Sequence, residues 1–269
     1  PERYLPALRE LARECSAALL IAPESGGVLA RLSREIESLG VPLLGASASA
    51  VSIAGDKWQC YQLFRQSAIP TPETRLVTAA DALGGAAGLE PPWVVKPRDG
   101  AGAEGVHLVA GPASLGAAET LARLGLGEWL LQPYIAGVPA SVSLLCDGRE
   151  ALPLSLNEQH VDVGAPFRYR GGRIPLCHPL AERALALARQ VVGLIPGLRG
   201  YVGIDLVLTA EECAVVDVNP RITTSYVGLR RVLALNLAQA MWEIGCQGRL
   251  PSGATLTGSI SFAKDGTLG

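Results

Sequence analysis

A glycine-rich turn between two apolar runs constrains the fold of this 269-residue chain more than any other stretch. Residues 93–109, WVVKPRDGAGAEGVHLV, have the pattern strand, turn, strand, which is typical of a β-hairpin. In a Rossmann or P-loop unit, a helix would follow the nucleotide loop. The segment therefore predicts a phosphate loop in an antiparallel sheet, although a hairpin of this kind is equally often only a flexible turn.

Helical and strand-like patterns alternate before this hairpin. Residues 4–15 and 26–40 have helical periodicity, whereas AALLIAP (17–23) and VPLLG (41–45) have the apolar runs of buried strands. Such alternation is typical of a parallel α/β sheet. Because the chain begins at Pro1 within a helical pattern, we expect residues 1–54 to form a first domain that lacks its start.

The rest of the chain divides into two further predicted domains. Residues 55–130 contain a predicted helix from Gly55 onward, the glycine-rich hairpin and a second helix over 114–125. Residues 131–269 continue a series of strands with turns at 147–148 and 171–172. A helix over 180–194, two strands over 200–209 and 213–221, a helix over 228–245 and an edge strand over 254–263 follow.

Composition excludes several classes of partner. The 23 basic and 25 acidic residues give a formal charge of −2, so we expect no nucleic-acid or membrane-surface partner. The uncharged run 129–146 contains two prolines, a glutamine and a glycine, which argues against a membrane span. Six cysteines without a CxxC pair indicate free thiols in a reducing cytoplasm.

Three polar side chains on two adjacent predicted strands indicate a metal site. Asp217 and Asn219 alternate along one strand, so they point to the same face, about 7 Å apart. A hairpin through TAEE (209–212) would place Asp205 beside them. Carboxylate and amide oxygens suit Mg²⁺. For Asp217 and Asn219 alone, an ordinary polar strand end is the open alternative.

Two lysines and three glycines are candidates for phosphate contacts. Lys96 ends the first strand of the hairpin, and Lys57 follows Gly55 and Asp56. Glycines allow backbone N–H groups to approach phosphate oxygens closely; here they are Gly100, Gly102 and Gly105. A single lysine of this kind is more often only a solvated surface residue.

The order of these motifs resembles that of the ATP-grasp family of ligases. GDK comes first, then the strand, lysine and glycine loop, then LLQPYI, and finally Asp205 and D-x-N-P-R. Further stretches resemble the tyramine–L-glutamate ligase branch, the enzymes of methanofuran-type cofactor biosynthesis: IAPES, LGASASAVSIAGDK, SVSLL, PLSLNEQ, GYVGIDLV and NPRITTSYVGL.

The resemblance implies an ATP-grasp fold of mixed α/β (α+β) class. A partial N-terminal parallel α/β domain would precede two α+β subdomains that sandwich ATP. Lys57, Lys96 and the loop from Gly100 to Gly105 would contact the ATP phosphates. The adenine hinge would be formed by Gln132, Pro133, Tyr134 and Ile135. Asp205, Asp217 and Asn219 would hold two Mg²⁺ ions, with Mn²⁺ as an alternative.

Two positions depart from the family pattern. Many ATP-grasp enzymes have a glutamate near the hinge for the ribose hydroxyls, where this chain has Val138 and Pro139. Some ligases have an arginine two residues before the first metal carboxylate, where this chain has Gly203. We assign the missing cation to Arg221, which makes Lys96 and Arg221 the expected catalytic residues; a strand-capping ion pair is the alternative for Arg221.

Further residues are assigned to the substrates. Asn157 and Gln159 lie on one face of a predicted strand and suit an amino acid, although ordinary polar strand residues would have the same pattern. Glu24 follows an apolar strand at a place where ligands bind. Arg173 belongs to an arginine-rich segment, 160–176, which is either a lid or a solvated hairpin. Thr223 completes the substrate set.

The resemblance implies a ligase that activates the carboxylate of L-glutamate, by our assignment the γ-carboxylate, as an acylphosphate. Tyramine or a related aromatic amine would then attack, giving an amide, ADP and phosphate. The expected partners are therefore ATP, glutamate and an amine, and a homo-oligomer is compatible with the sequence. An ATP-grasp ligase for other amino acids or for a polyglutamate chain is the main alternative, and a non-catalytic ATP-binding module is the other.

Overall fold

Two antiparallel sheets follow a helical N-terminal region in the computed structural model, which describes residues 4–78, 85–111 and 127–269. The helix expected over 114–125 lies outside these residues. The helices are α1 (Leu5–Arg13), α2 (Val28–Ser38), α3 (Ala48–Ala54), α4 (Lys57–Gln66), α5 (Ala181–Leu194), α6 (Ser225–Val232) and α7 (Leu237–Gln247), with a 3₁₀ turn at Ser25–Gly27.

Most of the strands lie where the sequence predicts them. They are β1 (Arg75–Thr78), β2 (Trp93–Pro97), β3 (His107–Val109), β4 (Glu128–Pro133), β5 (Val138–Asp147), β6 (Ala151–Asp162), β7 (Arg168–Ile174), β8 (Arg199–Leu208), β9 (Cys213–Asn219) and β10 (Ile260–Ala263). The glycine-rich segment joins β2 to β3 as an antiparallel hairpin, in which Val95 pairs with His107. The predicted hairpin is confirmed.

The N-terminal region contains less strand than its sequence predicts. Residues 17–23 and 41–45 form only a parallel bridge between Ala18 and Leu43. Leu19 and Ile21 are 40% and 70% exposed, so the prediction of a buried strand over 17–23 is wrong, whereas Leu43 in the second run is buried. An apolar run indicates burial only where other chain segments cover both of its faces, and the described residues leave one face of the first run open.

The small sheet has the order β1-β4-β2-β3. One face packs into a core of its own that contains Val77, Trp93, Val95, Val109 and Leu131. The two central strands, β2 and β4, pair through five residues each, from Trp93 opposite Pro133 to Pro97 opposite Trp129. This sheet therefore supports Lys96 and the glycine-rich loop on one side of the molecule.

The large sheet has the order β10-β7-β6-β5-β8-β9, and helices cover its two faces unequally. Helix α5 packs on one face, where Leu144 and Val202 belong to the largest core cluster. On the other face, α6 and α7 pack around Leu145 and Tyr201. The polar ends of β8 and β9 lie on this second face beyond Tyr201, and they border the large pocket described below.

Two predicted boundaries are wrong. Gly171 and Gly172 do not form a turn but lie within β7, between β6 and β10. The turn is at 163–167 instead. The predicted helix over 228–245 divides into α6 and α7, because the Asn236 side chain caps the second helix by accepting a hydrogen bond from Gln239 N at 3.1 Å.

No helix within the described residues is both long and apolar enough to cross a membrane.

Strands β6, β7 and β10 approach one another closely at Gly171 and Gly172, and this close packing can be tested. A Cβ atom at Gly171, where φ is +142°, would collide with the carbonyl oxygen of Phe262 in β10. We therefore expect Gly171→Ala to lower the free energy of unfolding by about 1–3 kcal/mol, the usual cost of overpacking. Urea unfolding followed by circular dichroism measures this change.

Gly193→Ala is the matched control, since no heavy atom lies within 4 Å of a Cβ atom placed there. Gly193 belongs to α5, so alanine should leave stability unchanged or raise it by up to about 1 kcal/mol. Equal stability losses in the two variants would contradict the proposed collision.

Candidate active site

A pocket lies between the small and large sheets. Its walls come from β2, the glycine-rich loop, the segment after β4, and strands β6, β8 and β9. Much of the lining is apolar, including Val94, Ile135 and Leu206. The charged and amide side chains in the lining are Lys57, Lys96, Glu104, Gln132, Gln159, Asp205 and Asp217.

The turn between β6 and β7 connects the two sheets across this pocket. Phe167 N donates to Val106 O at 2.7 Å, and Leu108 N donates to Gly164 O at 2.8 Å. Val163 and Phe167 also line the pocket. The sequence left the segment 160–176 as either a lid or a solvated hairpin, and its turn at 163–167 lies across the pocket. The contribution of these two apolar side chains was not predicted.

Lys57 lies at the first position of α4, directly after Asp56, whose side chain caps the helix. The Lys57 ammonium donates to Asp217 Oδ2 at 2.6 Å and Oδ1 at 2.8 Å, and to Gly100 O at 3.1 Å. Burial disfavours its charge, but the Asp217 carboxylate outweighs burial and raises the pKa of Lys57. This ammonium group thus joins α4, the glycine-rich loop and β9.

Lys96 approaches the same strand from β2. Its ammonium group donates to Val216 O at 2.9 Å. Val216 is the bulge residue of β9, because Asp205 pairs with Asp217 whereas the next residue, Leu206, pairs with Val215. Burial lowers the pKa of Lys96 to about 8, and the nearby Lys57 charge acts in the same direction. Both lysines therefore border β9 at its bulge.

Asp205, Asp217 and Asn219 lie together on the β8–β9 hairpin. Asp205 is opposite Asp217 in the register, and Asn219 Nδ2 donates to Asp205 Oδ2 at 3.0 Å. Gln159 Nε2 donates to Asp205 Oδ1, also at 3.0 Å. Burial, and then the Asp217 charge, raise the pKa of Asp205 to about 6. The cluster is consequently rich in negative charge and incompletely neutralised.

These residues fit a divalent cation by their donor chemistry. Carboxylate and amide oxygens are the ligands that Mg²⁺ prefers, and both carboxylates line the pocket. Within the described ranges, no group of three His, Cys, Asp or Glu side chains is arranged to hold a metal ion. A metal at this hairpin would therefore depend on two carboxylates, the amide of Asn219 and further oxygens from a ligand.

Glu24 and Arg221 form an ion pair between the N-terminal region and the segment after β9. Arg221 Nε donates to Glu24 Oε1 at 2.9 Å. The other oxygen, Glu24 Oε2, is buried without a hydrogen-bond partner among the described residues, and burial raises the pKa of this carboxyl. The sequence predicted both residues as substrate contacts and left an ion pair with a buried carboxylate as the alternative for Arg221, and that ion pair is present. The identity of its partner, Glu24, was not predictable from a separation of 197 residues.

Only part of the glycine-rich loop faces the pocket. Gly100 lines it together with Ala101, Ala103 and Glu104, whereas Gly102 and Gly105 are absent from the lining. Gly105 packs beside Pro97 and Trp129 instead. Of the three predicted glycines, Gly100 is thus the one that lines the pocket.

The predicted hinge lines the pocket throughout its length, from Gln132 to Ile135. The side chain of Gln132 donates to Thr74 Oγ1 at 2.7 Å, and Tyr134 N donates to Pro92 O at 2.8 Å. These bonds fix the hinge against the small sheet.

Two predicted substrate residues, Asn157 and Arg173, are not brought to the pocket. Asn157 is fully buried and donates to Ser143 Oγ at 2.8 Å. Arg173 is exposed, and it pairs with Glu158, so it projects from the sheet face opposite to that of Gln159. Gln159 is the predicted member of this strand that reaches the pocket.

Thr223 lies at the edge of a buried hydroxyl network that sequence reasoning missed. Its Oγ1 is 2.8 Å from Ser225 Oγ, which lies 2.9 Å from the hydroxyl of Tyr201. A Cβ atom at Gly203 would lie 2.8 Å from the methyl group of Thr223, so a larger side chain at Gly203 would displace this segment.

Comparisons with known proteins agree with this arrangement. A family model described as an ATP-grasp domain matches residues 54–225, and a pre-ATP-grasp domain model matches 2–51. The tyramine–L-glutamate ligase of Methanocaldococcus jannaschii is 33% identical over 215 residues, which are 79% of this chain and 58% of that ligase. The chain thus spans less than two thirds of the length of this relative.

Two further proteins are similar at a greater distance. The D-alanine–D-alanine ligase of Synechococcus sp. is 30% identical over 226 residues, 79% of this chain and 69% of that ligase. The crystal structure of a putative ATP-grasp superfamily protein from Archaeoglobus fulgidus superposes with a TM-score of 0.70 at 24% identity, covering 96% of this chain and 73% of the other. At this identity the superposition supports the fold alone.

The buried ion pair gives a stability test. Asp217→Ala would leave the Lys57 ammonium buried without its carboxylate, and we expect it to lower the free energy of unfolding by about 3 kcal/mol. Lys57→Met combined with Asp217→Ala should recover part of that loss, because no unpaired charge remains. Urea unfolding of both variants measures the difference; if the double variant is less stable than the single one, the pair does not act as described.

Proposed function

Because the chain belongs to the ATP-grasp family, we propose that it is an ATP-dependent carboxylate–amine ligase. One observation carries the proposal: Lys57, Lys96, Asp205 and Asp217 converge from four different elements on one end of a pocket whose remainder is largely apolar. An apolar slot with clustered charges at one end suits a nucleotide, with its base in the slot and its phosphates at the charges.

In this proposal, the adenine lies against Val94, Ile135 and Leu206 and meets the backbone of the hinge at 132–135. The phosphates lie toward Lys57 and Lys96, under the loop at Gly100. Compact ammonium groups are suited to neutralising phosphate oxygens. The backbone bonds of the 163–167 turn to Val106 and Leu108 close the pocket over the nucleotide and limit the access of water.

Asp205, Asp217 and Asn219 are the residues that would hold magnesium, as two ions, with manganese as an alternative. When bound, such ions supply positive charge that offsets the charge of the phosphates. The hydrogen bonds from Gln159 and Asn219 hold the Asp205 carboxylate in place. The ion pair with Lys57 does the same for Asp217.

The proposed reaction has two steps. The substrate carboxylate first attacks the γ-phosphorus of ATP, which releases ADP and leaves an acylphosphate. The amine, once its ammonium form has lost a proton, attacks the acyl carbon through nitrogen. The C–O bond to phosphate then breaks and the nitrogen releases a second proton, which gives the amide and inorganic phosphate. Neither step needs a covalent nucleophile from the protein, so positioning and charge neutralisation are its main tasks. We assign these tasks to Lys96 and Arg221.

We propose L-glutamate as the acid, activated at its γ-carboxylate, and tyramine or a related aromatic amine as the acceptor, as in methanofuran-type cofactor biosynthesis. The 33% identity to the tyramine–L-glutamate ligase of M. jannaschii supports this choice. Glu24, Gln159, Arg221 and Thr223 are the proposed substrate contacts. The 30% identity to a D-alanine–D-alanine ligase supports a second candidate, in which the acceptor is an amino acid.

The deciding experiment incubates the purified protein with ATP, Mg²⁺ and L-glutamate, and with tyramine, phenethylamine, D-alanine or further L-glutamate as acceptor. Mass spectrometry identifies the amide, and released ADP and phosphate measure its stoichiometry. One ADP and one phosphate per glutamyltyramide support the first candidate. A dipeptide product supports the second, and no ATP-dependent product with any acceptor contradicts the ligase assignment.

A substitution at the metal-site amide tests the assigned site. We expect Asn219→Ala to lower kcat/KM for amide formation about 100-fold or more, because it removes one of the three side chains assigned to magnesium, whose charge would offset that of the phosphates. Gln66→Ala, at the end of α4, is the control and should retain full activity. Unchanged turnover in Asn219→Ala would contradict the assignment of this residue to the site.

A further inference from the structure

A second cleft lies between the N-terminal region and the end of the small sheet. The N-terminal region contributes Glu24, Ala30 and Val51 to its walls, and the small sheet and its loop contribute Arg98 and Trp129. The lining shares only Pro97 with that of the nucleotide pocket. The two cavities are therefore distinct and lie on either side of the segment that carries Lys96.

Two buried polar atoms without partners belong to side chains that line this cleft. Glu24 is 6% exposed and Trp129 is 8% exposed. Neither Glu24 Oε2 nor Trp129 Nε1 has a hydrogen-bond partner among the described residues. Buried polar groups in folded proteins are nearly always hydrogen-bonded, so a ligand group is the expected partner of each of these atoms. One atom accepts a hydrogen bond and the other donates one.

The charge of the side chains that line the cleft determines whether a cationic or an anionic ligand binds there. Four carboxylates line it, from Glu24, Asp56, Asp99 and Glu128. Its one guanidinium, from Arg98, already donates to Asp56 Oδ2 at 2.5 Å and to Glu128 Oε2 at 2.6 Å. Glu24 is also paired with Arg221, so four carboxylates face two guanidiniums. The remaining negative charge attracts a cation and repels a second carboxylate. The substrate acid is thus an unsuitable occupant.

The remaining walls suit an apolar body. Ala30, Val51, Pro97 and the ring of Trp129 supply the surface between the two unpaired atoms. The carboxylate of Glu24 also connects the cleft to the proposed reaction centre, because its other oxygen accepts from Arg221 at 2.9 Å. A cationic group held at Glu24 would therefore lie next to the residue that we assign to the acylphosphate.

Resting on the proposed function, we propose that this cleft binds the acceptor amine, as a primary ammonium attached to an aromatic ring. The ammonium group binds at Glu24, the ring packs against the apolar wall, and a ring hydroxyl accepts a hydrogen bond from Trp129 Nε1. The cleft is then a specificity site for hydroxylated aromatic amines, while the acid enters on the side of the nucleotide pocket.

Tyramine and phenethylamine, which differ only in the ring hydroxyl, are the probes. Their dissociation constants are measured by titration calorimetry on the whole protein, with and without a non-hydrolysable ATP analogue, and the amine KM is measured during turnover. Glu24→Gln keeps an oxygen for Arg221 but removes the charge, and we expect it to weaken both amines about 10-fold or more. Trp129→Phe keeps the ring packing and should weaken tyramine about 5-fold, but not phenethylamine.

Trp58→Phe is the matched control, because Trp58 stacks on Tyr61 and is absent from the lining of the cleft. It should leave both amines unaffected. The KM for ATP should be unchanged in Trp129→Phe, and thermal unfolding shows whether each variant is folded. If Glu24→Gln does not fold, the loss of affinity for tyramine but not for phenethylamine in Trp129→Phe still tests the proposal.

The proposal is overturned if wild type binds neither amine and Trp129→Phe leaves the tyramine KM unchanged. It is also overturned if the variants raise the KM for glutamate instead of that for the amine. Failure of the ligase assignment has a different signature: tyramine binds and responds to both substitutions, but no ATP-dependent amide forms.

Discussion

The ion pair between Lys57 and Asp217 is the interaction on which the candidate site depends. A buried ammonium is tolerated only with a partner, and here both carboxylate oxygens of Asp217 and the carbonyl of Gly100 accept its hydrogen bonds. The three groups come from a helix start, a loop and a strand of the large sheet. The hydrogen bonds of the Lys57 ammonium therefore hold the glycine-rich loop and the β8–β9 hairpin at a fixed separation. The pocket occupies the space between them.

The bulge in β9 determines which groups meet that ion pair. Without it, the register of β8 and β9 would place the residue before Asp217 opposite Leu206; instead, Val216 stands out of the ladder. Its carbonyl oxygen accepts the hydrogen bond of Lys96 at 2.9 Å. Asp217 and Asn219 remain on one face with Asp205. A single extra residue thus brings a second lysine to the carboxylates without breaking the hairpin.

The parts of the site that follow from local rules were predictable from the sequence. The alternation of strand side chains placed Asp205, Asp217 and Asn219 on one face, and the glycine-rich pattern gave the β2–β3 hairpin. Contacts between distant segments were not predictable. The position of Gly171 within β7 depends on Phe262 of β10, the burial of Asn157 depends on two serines of β5, and Glu24 meets Arg221 only through the tertiary fold.

The two cavities place their charges differently. The large pocket has the ammonium groups of Lys57 and Lys96 among three carboxylates, those of Glu104, Asp205 and Asp217, whereas the cleft has four carboxylates and one guanidinium in its lining. A ligase must bring an anionic acid and a cationic amine together without letting them pair unproductively. In the proposed function, the two lysines and the magnesium ions at Asp205 and Asp217 would attract the anions, and the carboxylates of the cleft would attract the amine. The Glu24–Arg221 pair has one side chain of each sign at the boundary, so the proposed acid and amine would each find a complementary charge there.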